Sequence, residues 1–418
     1  MIAARIACFT CFALCISVGE ATSQTFVVDA AGGPGSQYRD LPAAIAAVPA
    51  GSTLVVRAGK YSPFTVKKSL NILGVDSQTV SIEGLGAAQI GPCGATENIV
   101  LHGLGFRALV PLIVLGTQGT VSLSALDITT PSGLTIIDAN MVHISSCNLA
   151  TTVAAARTVA RLNVTRSRVH VAWTNVIGQD AIATTGTTRP DGGGAVVAVS
   201  SELSLVASNV LGGKGAQPFA RGNLAGFGGV GIAGDLRSTI SMHACLVVGG
   251  NGGFDPNGLF HGSGGAAITL TQSSSATVEV LAPRGGTSGD PLGQPGPAWN
   301  VDSTSKLALD ASVPTVVARQ EANPRPKTIR WTVSAPSRSL IVPILGVRPT
   351  ILALGTTVPL LVEPLVVLAP LPSNATGTTI FDLDLSVVPS LVIVHAQFGV
   401  VLSQGRIMAS NVVPIIVP

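Results

Sequence analysis

Val121-Ser122-Leu123-Ser124-Ala125-Leu126-Asp127-Ile128 and Val142-His143-Ile144-Ser145-Ser146-Cys147-Asn148-Leu149 are two copies of one pattern. Each reads apolar, polar, apolar, two spacers, a mostly small residue, a mostly polar residue, apolar. Leu162-Asn163-Val164-Thr165-Arg166-Ser167-Arg168-Val169 and Leu203-Ser204-Leu205-Val206-Ala207-Ser208-Asn209-Val210 repeat it. Further copies start at Ile99 and Ile240. The Val121, Val142 and Leu162 copies start 21 and 20 residues apart, and Leu203 follows after 41, one long coil or two ordinary ones. Alternation within a copy is the signature of a strand, and recurrence at this period is that of a solenoid. The first and third positions of each copy point inward and stack on the next coil. Burying one such aliphatic side chain contributes about 1.5–3 kcal/mol, so stacked coils can offset a chain entropy that no single coil could.

Composition agrees. The 418 residues are 46% hydrophobic and 11% charged, which excludes a disordered chain, and 48 are glycine. Net charge is +3 with no basic stripe interleaved with aromatics, so no nucleic acid is expected as a partner. Residues 1–23 read as a secretory signal peptide, with Arg5 before a short apolar run from Ile6 to Val18 and cleavage near Ala21 or Ser23. That predicts a secreted or cell-envelope location. No later run reads as a transmembrane span. Beyond the signal stand Cys93, Cys147 and Cys245, an odd count that predicts buried thiols rather than a disulfide framework.

In chain order, Tyr38 to Val48 predicts a short helix with Asp40 as N-cap and Pro42 in the first turn. Strands follow at Thr53–Arg57, Leu70–Gly74 and Val80–Gly84, and second strands between the copies at Pro111–Leu115, Leu134–Asp138, Ala195–Val199, Gly229–Ala233 and Ala266–Leu270. Two glycine-rich excursions, 211–229 and 248–265, leave after the last apolar residue of a copy and return as Gly-Gly. They share one corner of successive coils, as flexible decoration or as a ligand-contacting face. The domains expected are a parallel β-helix over 24–318, a linker over 319–328 and an all-β domain over 329–418.

Pro49-Ala50-Gly51-Ser52-Thr53 and Gly59-Lys60-Tyr61, behind the predicted helix, resemble the opening coil of pectin lyase-like β-helices, in particular of pectinesterase-type proteins. The resemblance covers roughly 50 residues. With the general crossover rule it implies a right-handed helix. The fold class expected is therefore all-β: a right-handed parallel β-helix with a short N-terminal capping helix, followed by a small all-β sandwich-like domain. The family's catalytic motifs are missing. Gln179-Asp180 is followed by Ala181-Ile182, the second Asp in an Asp-Phe context is absent, and Ser62-Pro63 stands where a Glu follows the Gly-x-Tyr corner.

Outward repeat positions are where chemistry would sit. The seventh position gives Gly105, Asp127, Asn148, Arg168, Asn209 and Leu246, which predicts Asp127, Asn148 and Arg168 in adjacent coils about 5 Å apart. His143, Arg166 and His170 are expected close by. Three readings follow: a solvated polar ladder, a carbohydrate-binding face of Asp127, His143, Asn148, Arg168 and His170, or a polysaccharide lyase or pectinesterase-like esterase using Asp127, Arg166 and Arg168. The first two make the protein a non-enzymatic structural or binding protein, with a polysaccharide or cell-envelope component as partner. No cofactor is expected. A calcium cage needs several carboxylates, and only Asp127 is in register.

Overall fold

The computed structural model describes residues 24–416 except short stretches, the longest internal ones being 151–158, 183–189, 218–224, 255–261, 353–359 and 385–392. The sequence of strands in one coil is illustrated by Thr120–Ser124, Asp127–Ile128 and Leu134–Ile137, after which Met141–Ser145 begins the next coil. Each of the three joins its counterpart one coil on, in parallel. The result is an eleven-stranded sheet A, an eight-stranded sheet B and a nine-stranded sheet C, wound as a right-handed parallel β-helix from Thr25 to Asp310.

The inward positions form the expected columns. In sheet A, Val121, Val142, Val169, Leu203 and Ile240 stack in register, each at most 1% exposed. Sheet B contributes Ile128, Leu149, Val176 and Val210, and sheet C contributes Leu134, Leu162, Val196 and Ile232, all fully buried. The N-terminal end is closed by the helix Leu41–Ala47, whose Leu41, Ala44 and Ile45 are buried. Asp40 caps it, accepting from Leu41 N at 2.8 Å and from Ser62 N at 2.9 Å.

The corners explain how so short a coil can turn. Between sheets A and B the chain passes through a left-handed residue in four successive coils: Ala125, Ser146, Trp173 and Ala207, with φ near 50°. Asp138, Arg166 and Ser200 do the same between sheets C and A. Few side chains tolerate that region. Next to these residues runs a ladder of buried serines. Ser167 Oγ accepts from Ala139 N, Ser201 Oγ from Ser167 N, Ser238 Oγ from Ser201 N, Ser274 Oγ from Ser238 N and Ser305 Oγ from Ser274 N, at 2.9–3.3 Å. Cys147, Thr174, Ser208 and Cys245 serve likewise at the A–B corner. Backbone donors that the turn withdraws from both sheets and solvent are thereby satisfied. Arg161, fully buried, does this for carbonyls: it donates to Thr130 O, Pro131 O and Ile128 O of the preceding coil.

In the described parts of the glycine-rich excursions, the outgoing and returning segments form a layer held by backbone hydrogen bonds. Outgoing and returning segments bond to one another in series: Gly213 N to Gly193 O, Gly229 N to Gly213 O, Gly250 N to Gly229 O, Gly265 N to Gly250 O and Gly286 N to Gly265 O, all at 2.7–2.9 Å. Donors to a given neighbour recur every third residue, as with Gly212 and Gly215 toward Val248 O and Asn251 O. That is the spacing of a three-residue-per-turn polyproline-II helix, here laid side by side without side chains. Gly264 N donates to Gln294 O, and the next residue, Pro295, has no N–H to continue the row.

Pairing after Asp310 is antiparallel. Val317–Glu321 pairs with Thr328–Ser334, which pairs with Thr378–Asp384. Leu340–Gly346 pairs with Ile393–Val401, which also takes Ile407–Ala409 and Val413–Ile416. The stretch 319–328, expected as a linker, thus holds the end of one strand and the start of its partner. Its prolines fall in 322–327, outside the described residues, as does the predicted signal peptide. Among the described residues no helix is long and apolar enough to cross a membrane.

Candidate functional site

Register decides which outward side chains meet. In sheet B, Asp127 lies beside Asn148, Asn148 beside Asn175, and Asn175 beside Asn209. The third place belongs to Asn175 and not to Arg168. The Leu162 copy, which shares the Leu-x-Val alternation, is a strand of sheet C paired with Leu134–Ile137. The true sheet A partner of Val142 is Val169. Arg168 therefore sits at the start of a sheet A strand, opposite Glu202.

The sheet B column is an amide ladder with a break. Asn148 Nδ2 donates to Asp127 Oδ1 at 2.8 Å, and Asn209 Nδ2 donates to Asn175 Oδ1 at 3.1 Å. No hydrogen bond joins Asn148 to Asn175, although their backbones are in the same register. A groove of about 460 Å3 opens at this break, lined by Asn148, Trp173, Thr174, Asn175 and Asn209 among others. Trp173 is half-buried at the left-handed corner, φ 51°, with the small Ser146 and Ala207 in the same place one coil away on each side.

Asp127 itself is committed. Arg107 Nη2 stands 2.7 Å from its Oδ2, Gln78 Nε2 donates to Oδ2 at 3.0 Å, and Asn148 takes Oδ1. A carboxylate so enclosed, 7% exposed, ties coils together and has no oxygen to offer a substrate.

His143 and His170 do come together, with ring centroids 6.1 Å apart in an edge-on arrangement. Their place is the outward face of sheet A, and around these two residues that face is buried. His143 is 8% exposed and His170 4%, with Ser122, Ser124 and Ser145 also buried around them. The solvated face expected at these positions is absent, and neither ring is placed to meet a ligand. Burial drives the His170 pKa down to about 4, so the ring is neutral. Among the described residues neither of its nitrogens has a hydrogen-bond partner.

Arg166 and Arg168 lie at the corner between sheets C and A. Arg166 binds Asp138 in two bonds, Nε–Oδ1 2.6 Å and Nη2–Oδ2 2.8 Å. Arg168 Nε binds Glu202 Oε2 at 2.8 Å. The four line an open groove of about 400 Å3 with Gln118, Asn140 and Ser200. The hydrogen bond from Arg166 holds the Asp138 carboxyl below the usual carboxylate range, and the same bond keeps Arg166 more firmly charged. An acid held ionised has no proton to give, and an arginine held charged cannot abstract one.

The sequence-derived residues thus fall on three faces: Asp127 and Asn148 on sheet B, His143 and His170 under the cover of sheet A, and Arg166 and Arg168 at the C–A corner. Sequence reasoning missed Asn175 and Trp173. The signal was there, in Val169-His170-Val171 followed by Asn175, a sheet A strand and its sheet B residue. Cys147 and Cys245 occupy the A–B corner, with thiols pushed up by burial to about 12 and about 11, and Cys93 is buried too. Such thiols are unreactive packing groups. Among the described residues no three His, Cys, Asp or Glu side chains gather to hold a metal ion.

No protein-family profile matches the chain, and no curated protein matches it. Among solved structures, the enzymatically active domain of tailspike protein 2 of Bacteriophage CBA120 is similar at 11% identity, over 86% of this chain and 67% of that one, with a TM-score of 0.22. A likeness of that degree carries no argument, and the β-helix rests on the parallel pairing of the three sheets.

Proposed function

We propose that this is an exported, non-enzymatic β-helix protein that binds polysaccharide along the outward face of sheet B. The observation that carries the reading is the amide ladder of Asn148, Asn175 and Asn209 beside the half-exposed Trp173. One amide per coil repeats at roughly 4.8 Å, close to the advance of an extended glycan per sugar. Amides recognise hydroxyls without imposing charge, and an aromatic ring offers an apolar surface for a pyranose face. The apolar run at the start of the sequence supports export. The test is retention of the purified protein on immobilised dextran, galactomannan and laminarin. Retention on at least one is expected, weakened roughly tenfold in Asn175→Ala, a loss of about 1.4 kcal/mol. Retention on none would sink the proposal.

A second reading places catalysis in the corner groove, because Asp138, Glu202, Arg166 and Arg168 all line it. Incubation with pectin, polygalacturonate and alginate tests it. Unsaturated product or released methanol, lost in Glu202→Gln, would favour that reading over the first.

A further inference from the structure

We infer that the break between Asn148 and Asn175 is a subsite for one neutral pyranose carrying two adjacent free hydroxyls, seated against Trp173. The inference rests on the glycan-binding reading and narrows it to a chemical class.

The argument begins with what each amide has left. Asp127 can only accept, and it takes Nδ2 of Asn148. Asn148 therefore turns its acceptor, Oδ1, toward the next coil. Asn175 has committed Oδ1 to Asn209 Nδ2, which leaves its donor, Nδ2. An acceptor and a donor thus stand on neighbouring strands, roughly 4.8 Å apart at the backbone. Neither makes a further hydrogen bond among the described residues.

A ligand that satisfies both must donate at one point and accept at its neighbour. Adjacent hydroxyls do this: one gives its proton to Asn148 Oδ1 while the other receives the Asn175 N–H. A uronate carboxylate accepts only, and would set its charge against Asn148 Oδ1 with Asp127 one coil behind. An ammonium group donates only, and would leave nothing for Asn175 Nδ2. The chemistry of the break therefore selects a neutral diol over acidic and basic sugars.

Trp173 supplies the second, independent observation. A bulky side chain at φ 51° is a backbone outlier, and such residues cost about 1–3 kcal/mol. Ala125, Ser146 and Ala207 fill the same corner in other coils. Other coils turn with small residues at this corner, whereas here an indole stands in it and lines the groove at the break. Its volume, about 460 Å3, lies within the range of about 300–1,000 Å3 typical of small-molecule sites.

The experiment measures binding of the full chain to galactomannan and dextran, whose sugars carry adjacent hydroxyls, and to laminarin, whose internal residues have none. Each polysaccharide is used untreated and after periodate oxidation and borohydride reduction, which cleave adjacent diols. Binding to galactomannan or dextran is expected, with loss of roughly tenfold or more after oxidation. Equal binding before and after oxidation, or preference for laminarin, overturns the diol inference and leaves glycan binding standing. Binding to none of the three removes both. Two variants separate site from fold. Asn175→Asp keeps an acceptor for Asn209 and turns the donor into a charged acceptor, which the diol's second hydroxyl can no longer receive a proton from. Trp173→Gly relieves the left-handed strain and removes the ring. Both should bind roughly tenfold more weakly or worse while keeping the cooperative unfolding transition of the wild type. Wild-type affinity in either variant overturns the role given to that residue.

Discussion

Arg107 Nη2 stands 2.7 Å from Asp127 Oδ2, and Nη1 of the same guanidinium donates to the Asp127 carbonyl at 3.1 Å. Nη2 also donates to Ser77 O at 3.0 Å, so one side chain clamps three successive turns of sheet B. Asp127→Ala takes the carboxylate from Arg107, which keeps only backbone acceptors for its charge, and the acceptor from Gln78 Nε2 and Asn148 Nδ2, in a largely dry place. Its unfolding free energy should fall by about 3 kcal/mol in urea titration, as when one partner of a buried pair is removed. Asp127→Asn keeps the oxygen that Asn148 uses and should lose clearly less. Equal losses in the two variants would show that the charge, and not the shape, is what matters.

His170 predicts a window of acid sensitivity. Its pKa is about 4 in the fold and about 6.5 in an unfolded chain. The unfolded chain therefore takes a proton first as pH falls. Stability due to this ring is complete above about 6.5, declines between 6.5 and 4, and is level below that. The total is on the order of 3 kcal/mol. Asp29, Glu83 and Asp138, whose carboxyls are held below their ordinary values, begin to lose their contributions only at the acid end of the His170 window and lose them further below it. Urea midpoints at pH 7.5, 6 and 5 should drop steadily for the wild type and less for His170→Leu. Parallel curves would show that the ring is not buried neutral.

The architecture was legible in the sequence for a physical reason, and the site was not for the same reason. A coil must bury alternate residues on all three sheets, so Val121, Val142, Leu203 and Ile240 announce themselves by alternation alone. Leu162-Asn163-Val164 obeys that rule equally well while belonging to sheet C. Alternation says which side chains point inward and nothing about which sheet they line. The residues before Leu162 lengthen that coil, so a fixed count of about 20 lands one sheet early. The same count puts Arg166 and Arg168 on the wrong face, while Asp127, Asn148 and Asn209 keep their place. The capping helix was readable because its signals, Asp40 and Pro42, are local. The burial of His143 and His170 was not, because it depends on what lies over sheet A.

The serine ladder predicts a graded response to one atom. Ser238 Oγ accepts from Ser201 N at 3.3 Å and donates to Ala198 O at 2.9 Å, at a fully buried site. Ser238→Ala leaves a backbone N–H without a partner, which costs about 1–3 kcal/mol. Ser238→Cys should cost less, because at the other corner Cys147 Sγ already accepts from Leu126 N at 3.4 Å. Thermal unfolding of both variants checks the order. A cysteine variant as unstable as the alanine would mean that the lost rung is not what destabilises.

The glycine layer makes the sharpest structural prediction, because two glycines of the same layer should behave oppositely. At Gly229 a methyl group would fall onto the backbone oxygen of Gly193, to which the neighbouring segments are bonded, and no side chain stands there to move aside. At Gly194 the nearest atom to an added methyl is Val230 O at 3.5 Å, an ordinary contact, and φ is not left-handed. Gly229→Ala must push apart segments hydrogen-bonded on both sides, so a loss of about 2 kcal/mol or more is expected, in the range of overpacked sites. Gly194→Ala narrows the unfolded ensemble at no steric cost and should stabilise by about 0.4–1 kcal/mol. Limited proteolysis reads the same contrast locally. Cleavage within 212–216, 226–231 and 249–253 should be slow in wild type and in Gly194→Ala, because hydrogen-bonded backbone cannot enter a protease cleft without opening, and fast in Gly229→Ala. Rapid cleavage of the wild type in these segments would show that the glycine layer does not hold them.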